Sequence, residues 1–202
     1  QYVADLGLIR RKPNVVIANP IYREIIPRAL TSVTQDGIYQ EMAWYIRSDG
    51  QLDLPKLLAA FQQFFREHSE SWVERFDYKE AGPQLLLQAF LQRIVNGGGR
   101  VEREYGLGRK RTDLLVLWPV AEPGVEGKEH VQRGVIELKV LHKSLEATLA
   151  EGVVQTWEYA DRCGAAEAHL VIFDRTPDKP WEEKIFRREE AIQGRPITVW
   201  GM

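Results

Sequence analysis

The chain has a single cysteine, Cys163, so it closes no internal disulfide and offers no Cys-x-x-Cys pair for zinc. Its four histidines, His68, His130, His142 and His169, are too scattered for a His-x-x-x-His site. No apolar run approaches the ~20 residues that a membrane-spanning helix needs, and no signal peptide is legible. A soluble, cytoplasmic protein is the expectation. There is no G-x-x-x-x-G-K-[ST], hence no ATP site of that kind within this chain. The formal net charge is −2, so no global basic field recruits nucleic acid, and any such affinity must come from local patches.

What remains is globular in composition: 44% hydrophobic and 28% charged over 202 residues, enough for one medium domain or a domain plus an extension. No internal repeat or low-complexity segment interrupts it. The opening "QYVADLGLIRR" reads like the interior of a longer sequence, so the chain is expected to be a fragment.

Periodicity divides the chain. Residues 1–30 read as a short β element, "NVVIANP", then a helix capped by Asn19 and opened by Pro20, with Pro27 ending or kinking it. A second helix is capped by Asp53 and carries Leu54, Leu57, Leu58, Phe61, Phe64 and Phe65 on one stripe. That stripe is wider than a lone helix can hide, which points toward packing on a partner, a homodimer included. A third helix begins near Pro83 and stops at "NGGG". Then "RVEREYGL" alternates like a strand, and "TDLLVLW" and "GVIELKV" read as buried strands. Between the last two, residues 119–133 read as a long surface connection. A helix is expected from about Ser144 to Arg162, then a strand "HLVIFD", a polar and helical "WEEKIFRREE", and a last short strand "PITVW".

Charge interrupts the buried strands at three places. In "GVIELKV", Glu137 and Lys139 share one strand face while Ile136, Leu138 and Val140 share the other. Asp113 opens "DLLVLW". If these strands neighbour one another, the three side chains converge at one edge of the sheet. Carboxylates brought together in a partly buried place repel and call for a cation. Hard oxygen donors suit Mg²⁺ or Mn²⁺, which keep several waters and bind phosphate. A lysine there would orient or deprotonate a water, or neutralise charge on a phosphate. A structural ion pair on a half-exposed strand is the plain alternative.

Asp113 followed by Glu137-Leu138-Lys139 resembles the D…(D/E)-x-K pattern of the PD-(D/E)XK nuclease superfamily. Gln155 and Tyr159, in "QTWEY" on the following helix, resemble the Q-x-x-x-Y motif of its RecB-type branch, and Glu80 in "YKEAGPQ" stands where members place a further acidic residue. Glu104 competes for that role. Thr112, not Pro, precedes Asp113, a departure from the family's "PD". The segments "LQRIVNGGGRVEREYGLGRKRTDLLVLWP" and "EGVVQTWEYADRCGAAEAHLVIFDR" resemble the nuclease-like domain fused behind AAA-ATPase-like domains in bacteria. The resemblance covers about residues 76–175. It implies an α/β fold of restriction-endonuclease type, with a mixed central sheet flanked by helices in the order αβββαβ. An N-terminal, mainly helical extension would precede it. Residues 1–35 would be the tail of an upstream ATPase-like domain, 36–75 a helical linker and 76–202 the nuclease-like domain.

The same resemblance implies roles. Asp113, Glu137 and the Leu138 carbonyl would hold Mg²⁺ or Mn²⁺, with Glu80 as an additional ligand. Lys139 would activate the attacking water, and Gln155 with Tyr159 would orient Lys139 or the phosphate. The expected activity is hydrolysis of nucleic-acid phosphodiesters, DNA rather than RNA, with no membrane partner. The alternative is an inactive module of the same fold that binds nucleic acid or protein. Arg109, Lys110 and Arg111 in "GLGRKR" stand directly before Asp113, as phosphate contacts or as an ordinary charged turn. "NGGG" follows a helix and opens a strand, the reverse of a nucleotide loop. Trp157 and Trp181 read as packing residues, Arg187 and Arg188 as surface charge offset by Glu189 and Glu190, and Cys163 as no nucleophile.

Overall fold

A computed structural model describes residues 9–10, 16–17, 44–73, 81–95, 98–107, 110–121, 129–142, 144–176 and 179–202. For 9–10, 16–17, 68–73, 81–82, 93–94, 104–107 and 110–112 it describes backbone alone. The chain divides into two compact units, Gln1–Trp44 and Tyr45–Met202. In the first, β1 (Ile9–Arg10) pairs antiparallel with β2 (Val16–Ile17). The helix expected after Asn19 lies outside the described residues.

The second unit is α/β. Its elements run α1 (Leu54–Val73), α2 (Ala81–Val95), β3 (Arg100–Leu107), β4 (Lys110–Ala121), β5 (Glu129–Val140), α3 (Leu145–Cys163), β6 (Glu167–Phe173), the single turn α4 (Trp181–Lys184), β7 (Phe186–Ile192) and β8 (Arg195–Gly201). The six strands form one mixed sheet in the order β3-β4-β5-β6-β8-β7. The β3-β4-β5 part and the β7-β8 hairpin are antiparallel. The β5-β6 and β6-β8 pairs are parallel, with α3 as the crossover from β5 to β6.

Each face of the sheet carries its own core. On one, α1 and α2 set Leu54, Leu57, Leu58, Phe61, Phe65, Leu87, Leu91 and Val95 against Leu114, Val116, Ile136, Leu138, Val171 and Phe173. Asp53 caps α1, its Oδ1 accepting the Lys56 N–H at 3.0 Å. The Phe stripe finds its partners within the chain, Phe61 against Phe90 and Phe65 against Phe173, each with ring centroids 5.4 Å apart. Helix α1, in the stretch expected to link two domains, therefore belongs to the core of the sheet unit. On the other face, α3 covers Leu115, Leu117, Val135, Leu170, Ile172 and Val199. The Ser144 Oγ caps α3 by accepting the Ala147 N–H at 3.2 Å.

A buried polar clamp anchors the chain ahead of α1. The Gln132 amide spans the Leu52 backbone, accepting its N–H at 2.8 Å and donating to its carbonyl at 3.0 Å. The Trp118 indole N–H donates to the Gly50 carbonyl at 3.0 Å, and Arg47 donates to Glu167 at 3.2 Å. Buried backbone polar groups outside the ladders are satisfied in this way.

Two expectations need correction. Residues 119–133 are not a long surface connection, because β4 runs to Ala121 and β5 starts at Glu129, with Ala121 paired to Glu129. That end of the hairpin is covered on one face only: Trp118, Val120 and Gln132 are buried while Pro119, Ala121 and Val131 are exposed. Polar residues and a proline therefore fit a strand there. "WEEKIFRREE" is helical only over Trp181–Lys184, and Phe186–Ile192 is an edge strand. Its charges occupy an edge, where charge protects against pairing with another chain. The turn into β8 holds Gln193 at φ 50° and Gly194 at φ 80°, the twist that two-residue hairpin turns require. Among the described residues, no helix is long and apolar enough to cross a membrane.

Gly152 lets α3 approach β6: a Cβ there would lie 2.7 Å from Leu170 Cδ2 and 2.8 Å from its Cδ1. Gly152→Val is expected to destabilise the protein by about 1–3 kcal/mol through overpacking. Urea unfolding should show a lower midpoint at an unchanged slope, whereas an unchanged midpoint would mean that α3 does not pack this closely.

Candidate functional site

The face covered by α3 carries the charged constellation. On β4, Leu114, Val116 and Trp118 belong to the α1/α2 core while Leu115 and Leu117 belong to the α3 core. Alternation places Asp113 on the α3 face. On β5, Ile136 and Leu138 face α1/α2, which places Glu137 and Lys139 beneath α3.

The β4–β5 pairing runs from Ala121↔Glu129 to Leu114↔Ile136, and the next residues along are Asp113 and Glu137. There a side chain takes over from the ladder: Asp113 Oδ2 accepts the Leu138 backbone N–H at 2.9 Å. β5 continues to Val140 alongside β6. Asp113 is thereby fixed beside the Glu137–Lys139 segment where the two strands cease to pair.

Glu137 is 4% exposed, and its Oε2 is buried with no hydrogen-bond partner. Burial pushes its carboxyl up to about 8; the Asp113 charge adds to the rise and Lys139 opposes it. The Lys139 Nζ lies 3.8 Å from Glu137 Oε1 and 3.6 Å from Glu151 Oε1. From α3, Tyr159 is buried, and its phenol is raised by burial and then by the Glu137 and Asp113 charges, which keeps its proton in place. Gln155 stands one turn before Tyr159, its Oε1 buried and without a hydrogen-bond partner.

Asp113, Glu137, Lys139, Gln155 and Tyr159 thus come from β4, β5 and α3 to one face of the sheet. The sequence reading missed Glu151. It lies four residues before Gln155, and that spacing was the available signal. Glu80 and Arg109 lie outside the described residues. Lys110 and Arg111 open β4 opposite Leu107 and Gly106, with backbone alone described. Glu104 falls between the pairs Arg103↔Leu114 and Tyr105↔Thr112, which sets it across from Asp113 in register. Among the described residues, no three His, Cys, Asp or Glu side chains gather as a metal-binding group.

The remaining candidates are structural. Trp157 and Trp181 pack against the two cores. Arg187 lies over the Trp200 ring, and Arg188 pairs with Glu190 at 3.2 Å. Cys163 is buried, and burial raises its thiol away from the reactive thiolate. Comparison with protein-family models, curated proteins and solved structures finds no match.

The raised Glu137 carboxyl makes a pH-dependent contribution to stability. The folded state binds this proton more tightly than the unfolded chain, so the contribution is full below about 4.5 and is lost as pH rises toward about 8. Glu137→Gln removes that dependence. In EDTA the variant should gain on the wild type from pH 5 to pH 8, by on the order of a few kcal/mol at the upper end. Urea midpoints of both proteins at each pH measure this, and parallel curves would show that Glu137 is not strained by its burial.

Proposed function

We propose that the sheet unit is a metal-dependent nuclease domain of the PD-(D/E)XK kind, hydrolysing phosphodiester bonds in nucleic acid, DNA rather than RNA. The observation that carries the reading is the meeting of Asp113, Glu137 and Lys139 on one face, where β4 and β5 cease to pair. The αβββαβ order of the superfamily would correspond to α2 through β6. In the same proposal, the chain belongs to an ATPase–nuclease fusion whose ATPase-like domain ends near residue 35.

The residues fit Mg²⁺ or Mn²⁺. Two carboxylates are held together, the charge of one raises the pKa of the other, and Glu137 Oε2 faces no donor. A hard divalent cation relieves both conditions, held by Asp113, Glu137 and the Leu138 carbonyl. Glu104, opposite Asp113 in register, joins Glu80 as a candidate for the further acidic ligand. When bound, the cation supplies Lewis-acid polarisation of a phosphoryl oxygen.

The chain's own groups do the rest. Lys139 holds and activates the attacking water, or balances charge developing on the phosphate. Gln155 orients Lys139 or the phosphate through its amide. Tyr159, kept protonated, would join Gln155 in orienting Lys139 or the phosphate. Arg109, Lys110 and Arg111 would grip the nucleic-acid backbone without reading sequence.

The second reading is a non-catalytic nucleic-acid or protein-binding module of the same fold. Cleavage of supercoiled plasmid and of a linear labelled strand, with Mg²⁺, Mn²⁺ or EDTA, separates the two. Cutting that needs the cation, is abolished by Asp113→Ala and falls by about 100-fold or more in Lys139→Ala is the expected result. Wild-type cutting that persists in EDTA, or that Asp113→Ala leaves intact, would sink the nuclease reading; the absence of both cutting and cation binding selects the second.

A further inference from the structure

Lys139 is not held by Glu137 alone. Its ammonium stands between two carboxylates of opposite setting: the Glu137 side chain is 6% exposed on the strand, and the Glu151 side chain is 62% exposed on α3. The separations, 3.8 Å to Glu137 and 3.6 Å to Glu151, are those of ion pairs and too long for hydrogen bonds. The ammonium is therefore shared between an inner and an outer anion, and has closed on neither.

That balance has a consequence for Glu137. Lysine carries its charge on a flexible four-carbon stem, so the ammonium follows the net pull on it. Without the outer carboxylate, the pull is toward Glu137. The ammonium would then close on a carboxylate of the cation's donor set, and would compete with that cation for the same oxygens. Glu151 sits in helical register with Gln155 and Tyr159, so the row of α3 that overlies the charged strand segment begins with it.

We propose that Glu151 is a positioning residue: it draws the Lys139 ammonium outward and so keeps Glu137 open to a divalent cation. This rests on the metal-dependent reading of the site and extends it to a residue outside the cation's donor set. An exposed ion pair is weak, so the effect on cation binding is modest, about two- to fivefold.

The test is a titration of Mn²⁺ alone into the full 202-residue chain, followed by calorimetry. Four proteins are compared: wild type, Glu151→Gln, Lys139→Met and the double variant. Residue 151 is largely exposed, so its substitution leaves the core untouched. The expected result has three parts. Glu151→Gln weakens Mn²⁺ binding by about two- to fivefold. Lys139→Met tightens it. On the Lys139→Met background, Glu151→Gln changes nothing, because the residue acts through the ammonium. Equal weakening on both backgrounds would overturn the inference, since the glutamate would then act as a plain long-range charge. So would unchanged affinity in Glu151→Gln. Neither outcome touches the nuclease reading, whereas a wild type that binds no Mn²⁺ overturns that reading and this inference with it.

Discussion

Glu137 lies 4% exposed in the middle of the sheet, and keeping a carboxyl there constrains every element around it. An isolated buried carboxylate is costly, and a second carboxylate nearby makes it costlier. The protein compensates only partly. Lys139 stands within ion-pair range, but one oxygen of Glu137 has no donor. The charge is thus incompletely neutralised by the fold itself, and the carboxyl takes up a proton at a pH where an ordinary glutamate is ionised. Asp113 is locked in place by the Leu138 N–H, so it cannot swing away to relieve the repulsion. α3 cannot withdraw either, because Gly152 seats it directly on Leu170. A proton on Glu137, or a cation between the two carboxylates, relieves the repulsion.

The two faces of the sheet divide the work. The α1/α2 face holds the larger aromatic and aliphatic core and ties the chain before α1 down through Gln132 and Trp118. The α3 face has a smaller apolar core that gives way to polar groups toward Asp113 and the C-terminal half of β5. Because β5 is buried on both sides, its alternation decides which residues meet which layer: Ile136 and Leu138 enter the α1/α2 core, and Glu137 and Lys139 belong to the candidate site.

Much of this was legible in the sequence because it is local. Period-two alternation in "GVIELKV" put Glu137 and Lys139 on one face, and Asp53 and Ser144 announced the starts of α1 and α3. What was not legible depends on residues distant in the chain. Pro119 reads as a breaker, yet its strand is covered on one face only. "FRREE" is too polar to look like a strand until the sheet gives it an edge. The Asp113–Leu138 hydrogen bond spans 25 residues and the Gln132–Leu52 clamp 80, and neither has a motif. Glu151 looked like one more exposed helix charge until the fold brought Lys139 up to it.

A second, half-buried carboxylate on the same sheet is balanced differently. Glu167, on the α1/α2 face, is also shielded from water, and burial alone would raise its carboxyl. His169, Arg47 and Gln132 outweigh that and hold it below the usual range. Its Oε1 accepts from Arg47 and Gln132 at 3.2 and 3.1 Å, and its Oε2 faces His169 Nε2 at 3.6 Å. The Trp200 indole in turn reaches the other His169 nitrogen at 3.4 Å. There the protein supplies opposing dipoles and charge itself, although Glu167 Oε2 and His169 Nε2 make no hydrogen bond. At Glu137 the protein supplies a neighbouring carboxylate and a lysine shared with a third. The two carboxylates lie on opposite faces of the sheet and shift in opposite directions, and the difference in shift lies in which side chains face each. The carboxylate beneath α3 is the less compensated of the two, with a like charge beside it and a lysine shared with Glu151.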